Sequence, residues 1–159
     1  LAGQQFDVVF INAGVYGPEH QTLSRTRDEE LMALFMTNTF SPLRCAEALQ
    51  PQVKPRSGIL ALMTSQLASL NENPDATYPL YAASKGALNM LARGLSAKTD
   101  AQGQTLLCVH PGWVQTDMGG TNAPLTVAQS AGGIADQLVA WRGKGGHHYI
   151  DYSGKLLAW

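Results

Sequence analysis

What this chain lacks narrows it first. No aliphatic run is longer than Ile59–Met63, far short of the roughly 20 residues that a membrane-crossing helix needs. Neither sign of charge dominates: 11 basic against 12 acidic residues leave a net charge of −1. That balance offers no electrostatic footprint for nucleic acid or an anionic lipid surface. Two cysteines, Cys45 and Cys108, are too few for a disulfide framework and are not spaced for metal, so free thiols in a reducing, cytoplasmic setting are expected. His20, His110, His147 and His148 show no ligand spacing, and no metal site is expected. Repeats and low-complexity segments are absent.

What is present is a globular composition, 45% hydrophobic and 14% charged. The 159 residues suffice for a single domain, 1–159, burying about 70% of its unfolded surface. Asp7–Asn12 is a β-branched and aromatic run without alternation, the pattern of a strand covered on both faces. Thr26 with Glu29 fits a capping box for a helix through Leu34, Asn38 and Leu49. Pro42 inside that helix removes a hydrogen bond, so a kink or bulge near Asn38 is expected. Gly58–Ser65 and Gln104–His110 read as two further buried strands, the second stopped by Pro111-Gly112. One helix is expected from Tyr81 to about Lys98, and another from a Thr126/Gln129 capping box to about Trp141. His148–Asp151 is the last strand. Strand and helix alternate with short connections, which predicts an α/β, doubly wound parallel sheet with right-handed crossovers. Ligands on such sheets bind at the carboxyl ends of the strands, where this chain puts Asn12-Ala13-Gly14, Ser65 and Pro111-Gly112.

Tyr81 and Lys85 stand four residues apart, one turn apart on one helix face. At about 4 Å and an effective dielectric near 20, an ammonium attracts a phenolate by roughly 4 kcal/mol. Such a pair draws a tyrosine from about 10 toward roughly 7, where a general acid/base works best at neutral pH. The spacing alone recurs by chance on many helices; its weight comes from the three strand ends around it.

Taken in order, Asn12-Ala13-Gly14, Asn38, Ser65, Tyr81-Ala-Ala-Ser-Lys85 and Pro111-Gly-Trp-Val-Gln-Thr116 resemble the short-chain dehydrogenase/reductase family over almost the whole chain. His110–Gly120 and the long gap from Ser65 to Tyr81 look most like its C-factor or sniffer-like carbonyl-reductase branch. Ile11, Ser41 and Ala68 depart from common family residues at positions that concern packing more than chemistry.

The resemblance implies a Rossmann-like fold and hydride transfer between NADP or NAD and a carbonyl or alcohol substrate. In it Tyr81 is the acid/base, Lys85 lowers the Tyr81 pKa and binds the nicotinamide ribose, and Ser65 holds the substrate oxygen. Asn38 holds a water linking Lys85 to solvent. Asn12, Ala13, Gly14, Tyr81, Lys85, Pro111, Gly112, Val114 and Thr116 line the cofactor. Tyr16, Leu67, Trp113 and Met118 suggest a mostly apolar substrate pocket. A homodimer or homotetramer through the helices around 26–49 and 81–98, with Ala46, Ala48, Leu91 and Leu95 at the contact, is also implied. Family members open with a glycine-rich, pyrophosphate-cradling segment of roughly 70 residues that has no counterpart before Leu1. A longer native polypeptide is therefore expected, as is a structure of these residues without cofactor. The competing class is a non-catalytic interaction or signalling fragment that keeps the fold.

Overall fold

The apolar runs become four parallel strands in the computed structural model of the chain, which describes residues 3–159. They are β1 (Val8–Ile11), β2 (Ile59–Met63), β3 (Thr105–His110) and β4 (Gly146–Asp151), hydrogen-bonded in the order β1-β2-β3-β4. The register pairs Leu62 with Ile11 and with Cys108, and Cys108 in turn with Tyr149. Every strand is parallel to its neighbour, so each connection must cross over one face of the sheet.

Alternation along the strands sorts their side chains into two layers. Leu60, Leu62, Leu106 and Cys108 pack with Leu43 and Ala46 of helix α2 (Ser41–Leu49) and with Leu88 and Ala92 of α3 (Pro79–Arg93). Ile59, Ala61, Leu107 and Val109 pack on the other face with Ile134 of α5 (Val127–Ala140). β2 and β3 are thus covered on both sides, as their unbroken apolar runs require. Among the described residues no helix is long and apolar enough to cross a membrane, and no cluster of metal-ligating side chains occurs. Cys45 is exposed, Cys108 is buried, and both are free.

The expected irregularity near Asn38 is a π-helical turn, Met36–Phe40, between α1 (Asp28–Phe35) and α2. Pro42 has no amide to offer the carbonyl of Asn38, and the Ser41 amide reaches back to Met36 instead. Three boundaries differ from expectation. α1 is entered at Arg27 rather than Thr26: Glu30 accepts the Arg27 amide at 3.0 Å, while the Thr26 hydroxyl donates backward to the Thr22 carbonyl. The helix carrying Tyr81 begins at Pro79 and ends at Arg93, and Ser96–Ala101 is a separate α4. Gly94 loosens the chain there, since its amide bonds Leu91 in a tightened last turn. β4 opens two residues before His148 because the Gly145 amide finds the Thr105 hydroxyl at 2.9 Å.

Ala46 and Leu95 lie in the core, at 0% and 3% exposure, so they are not available to a partner subunit. The large apolar side chains that α1, its π turn and α3 do leave exposed are Met32, Phe40, Met90 and Leu91.

Candidate active site

Three strand ends and the first turns of α3 converge at the carboxyl edge of the sheet. α3 starts abruptly. Pro79 is pre-set for the first helical position, and Tyr78 before it takes a left-handed backbone, φ 52° and ψ 61°. The Tyr81 amide has no partner within its own helix; it donates at 2.9 Å to the side-chain oxygen of Gln21, whose nitrogen donates to the carbonyls of Pro18 and Tyr16. Gln21 thereby ties the loop after β1 to the start of α3.

The buried face of α3 carries a polar row at helical spacing: Tyr81, Lys85 and Asn89, with Ser84 beside it. Ser84 donates to the Tyr81 carbonyl at 2.7 Å and accepts from the Asn38 amide at 2.9 Å. Asn38 in turn grips the Val15 backbone twice, accepting from its nitrogen at 2.7 Å and donating to its carbonyl at 2.8 Å. The Thr39 hydroxyl adds a bond to the Ser84 carbonyl. The π turn therefore clamps both the loop after β1 and α3, with both Asn38 amide hydrogens and one lone pair of its oxygen spent on protein partners.

Lys85 is 1% exposed, and its ammonium donates to the carbonyls of Met63 at 3.0 Å and Ala13 at 3.4 Å. A Cβ on Gly14 would come within 3.1 Å of that nitrogen, so the Asn-Ala-Gly run keeps a side chain out of the lysine's space. Burial lowers the Lys85 pKa to about 8. Burial also raises the Tyr81 phenol above its ordinary value, with Ser65 pulling the other way. That direction is opposite to the depression expected from the spacing. The Lys85 ammonium is directed at two backbone carbonyls, and loss of water around the phenol is the largest cause of its shift.

Ser65 follows β2 and caps a short 3-10 turn, its oxygen accepting the Leu67 amide at 3.2 Å. Its carbonyl accepts the buried hydroxyl of Tyr149. The Tyr16 ring stacks 6.0 Å from that of Tyr81 and meets Tyr78 edge-on at 5.2 Å. After β3, Gly112 takes φ +82°, and a Cβ there would strike Leu125 and Tyr152. The Pro111 carbonyl accepts the Ser130 hydroxyl at 2.7 Å, and Val114 bridges to Leu125. Thr116 accepts the Gly119 amide and lines a hollow of about 300 Å³ with Gln115, Asp117 and Thr121. Asn12 is exposed at the end of β1. Trp113 and Met118 are about half exposed on the loop after β3, with the Trp113 indole donating to the Gly119 carbonyl.

Sequence reasoning missed Gln21, Ser84, Asn89, Thr64 and Tyr149. Ser84 and Asn89 were signalled by their places beside Tyr81 and Lys85 on one helix. Gln21 and Tyr149 left no local signal, because they act across the fold.

A family model described as short chain dehydrogenase matches residues 2–124. C-signal of Myxococcus xanthus is 35% identical over 156 residues, spanning 96% of this chain and 92% of that protein. Among solved structures, a carbonyl reductase from Pseudomonas aeruginosa in complex with NADP superposes with a TM-score of 0.89 at 40% identity. The carbonyl reductase Sniffer of D. melanogaster does so with a TM-score of 0.85 at 33% identity. The matches cover 99% and 98% of this chain, and 68% and 67% of those chains.

Proposed function

Because the chain belongs to the short-chain dehydrogenase family, we propose that it bears the catalytic face of an NAD(P)-dependent carbonyl reductase or alcohol dehydrogenase. The observation that carries this reading is that a half-buried Tyr81 and a buried Lys85 share one face of α3, with the Lys85 ammonium held by carbonyls at the ends of β1 and β2 and Ser65 following β2.

The residues present fit the nicotinamide end of such a cofactor. Gly14 leaves room beside the Lys85 ammonium, and Gly112 turns the backbone where a side chain has no space. Lys85, Thr116 and the Val114 backbone would hold the nucleotide, with Asn12, Ala13, Gly14, Pro111 and Gly112 lining it. Bound NADP or NAD supplies the hydride in reduction and takes it in oxidation. Tyr81 gives its phenolic proton to the carbonyl oxygen as that carbon is reduced, and recovers it in reverse. Because the Leu67 amide already fills one lone pair of the Ser65 oxygen, the Ser65 hydrogen is free to hold the substrate oxygen. Lys85, with a pKa near 8, can release and regain a proton near neutral pH, which suits a group that recharges Tyr81. Asn38, at the π turn, fixes the loop around that lysine.

The test is carbonyl reduction by the chain with NADPH or NADH, followed at the nicotinamide absorbance, with Tyr81→Phe beside it. The parent is expected to turn over and the variant to lose at least about a hundredfold, the scale of one general acid. A Tyr81→Phe protein retaining most of its turnover sinks the assignment. We propose in addition a homodimer or homotetramer through α1, α2 and α3, where Met32, Phe40, Met90 and Leu91 are exposed. A monomeric mass by light scattering at micromolar concentration rejects it.

A second reading, a non-catalytic signalling or interaction protein, draws on the 92% span of the relative named C-signal. It predicts no nucleotide binding and no turnover, with a partner interaction that Tyr81→Phe leaves intact.

A further inference from the structure

We propose that Thr64, Asn89 and Tyr149 form a buried network that holds the Ser65 hydroxyl in register with Tyr81, with Tyr149 as its pivot. The inference rests on the reading of Ser65 as the group that holds the substrate oxygen.

Ser65 lies two residues beyond β2, where the sheet ladder no longer fixes it. A strand-end residue needs some other constraint if its hydroxyl is to stay aligned with a helix-borne phenol. Its carbonyl is held by the hydroxyl of Tyr149, a side chain 1% exposed on β4. β4 lies two strands from β2, roughly 10 Å at ordinary strand spacing. A phenol with its hydrogen bond spans about that distance. The strand it must cross presents Cys108, the register partner of Tyr149.

The same network reaches α3. Thr64, next to Ser65, donates its hydroxyl to the Asn89 side-chain oxygen at 2.7 Å in the buried interior. Asn89 sits eight residues after Tyr81 on the buried face of α3. The end of β2 is therefore joined to the helix carrying Tyr81 through Thr64 and Asn89, and to β4 through Ser65 and Tyr149. Linked buried hydrogen bonds of this kind over-determine a geometry, because each bond restricts the others.

Tyr149 is itself braced. Its carbonyl accepts the Leu157 amide at 2.9 Å, and the Trp159 ring packs 5.1 Å from its own. The Ala158 amide meets Glu72 at 3.4 Å, Asn71 donates to the Trp159 carbonyl at 3.4 Å, and Glu72 accepts from Gln66 at 3.2 Å. The segment from Leu156 to Trp159 thus closes from β4 onto the loop that follows Ser65. Burial raises the Tyr149 pKa, which keeps the hydroxyl a donor.

The test is a neutral-pH carbon NMR spectrum of the chain with tyrosines labelled at Cζ, a carbon sensitive to hydrogen bonding at the phenol. The Tyr81 resonance is assigned by its loss in Tyr81→Phe. Ser65→Ala is expected to move it, Tyr149→Phe to move it in the same direction, and the double variant to move it no further than Ser65→Ala alone. Thr64→Val, which keeps the side-chain shape, is expected to move it less, and it carries the test should Tyr149→Phe not fold. A purely structural role for Tyr149 would lower the melting temperature and leave the Tyr81 resonance in place. That result, with Ser65→Ala still effective, overturns the network alone. A Tyr81 resonance indifferent to Ser65→Ala overturns both the network and the assigned role of Ser65.

Discussion

Asn38 and Ser84, forty-six residues apart in the chain, share a buried hydrogen bond of 2.9 Å that fastens the π turn to the helix bearing Tyr81. The same Asn38 side chain holds both backbone polar atoms of Val15. Asn38→Ala removes all three bonds and orphans their partners, at about 1 kcal/mol or more each. The expected loss is about 2–4 kcal/mol, readable from the denaturant midpoint. Asn38→Asp keeps the oxygen that accepts from Val15 but not the donors, and should fall between alanine and the parent.

Lys85 is buried at a cost in stability. Its shift from 10.5 to about 8 means that burying the ammonium costs about 3 kcal/mol at neutral pH. Lys85→Met removes that charge and forfeits two carbonyl contacts, so the melting temperature at pH 7 is expected to stay level or rise by a few degrees. Nucleotide affinity and turnover are expected to fall together. The unfolded lysine keeps its proton up to about 10.5 and the folded one only to about 8. The parent should therefore gain stability relative to Lys85→Met as pH rises through that window. A large destabilisation on Lys85→Met would show that the carbonyl bonds dominate.

Acidification is expected to weaken the fold well above the carboxylate range. The Nδ1 of the half-buried His110 is itself buried and unpartnered among the described residues, and desolvation lowers the His110 pKa to about 4, with Asp151 opposing. His147 is lowered to about 4 as well, by burial first and then by Arg93 and His148. An unfolded histidine takes its proton near 6.5, so unfolding gains protons between that value and 4. Stability is full above about pH 6.5 and falls as pH drops toward 4. Urea midpoints at pH 7.5, 6 and 5 should decline stepwise, more shallowly in His110→Phe. A flat profile from 7.5 to 5 contradicts the burial of these imidazoles.

Two neighbouring glycines in α5 should respond oppositely to alanine. Gly132 has nothing within 4 Å of an added Cβ, so Gly132→Ala is expected to stabilise by about 0.5–1 kcal/mol through helix propensity. At Gly133 the Cβ would lie 2.6 Å from the Tyr152 carbonyl and 2.9 Å from its ring. Gly133→Ala must push α5 off the sheet end and is expected to cost about 1–3 kcal/mol. Thermal unfolding of the two single variants settles the signs.

The capping box of α5 survives from sequence to structure: Thr126 accepts the Gln129 amide at 3.2 Å, and the Gln129 side chain accepts the Thr126 amide at 2.9 Å. Thr126→Ala is expected to cost about 1 kcal/mol, measured as a shift in denaturant midpoint without change in slope.

The residue pattern by itself determined the order of the elements, the parallel sheet, the irregular turn at Asn38 and the shared helix face of Tyr81 and Lys85. All of these follow from local rules: side-chain period, a proline without an amide, and apolar runs that must be covered on both faces. Only the tertiary structure decided what those residues experience. The direction of the Tyr81 shift depends on how much water the surrounding elements exclude. The partners of Lys85 are carbonyls of Ala13 and Met63, supplied by two other parts of the chain. Tyr149 reaches Ser65 across 84 residues of sequence, and no spacing along the chain encodes that meeting. Periodicity fixes where a side chain points on its own element; desolvation and hydrogen-bond partners come from elements elsewhere in the sequence, and those exist at the site only once the sheet has assembled.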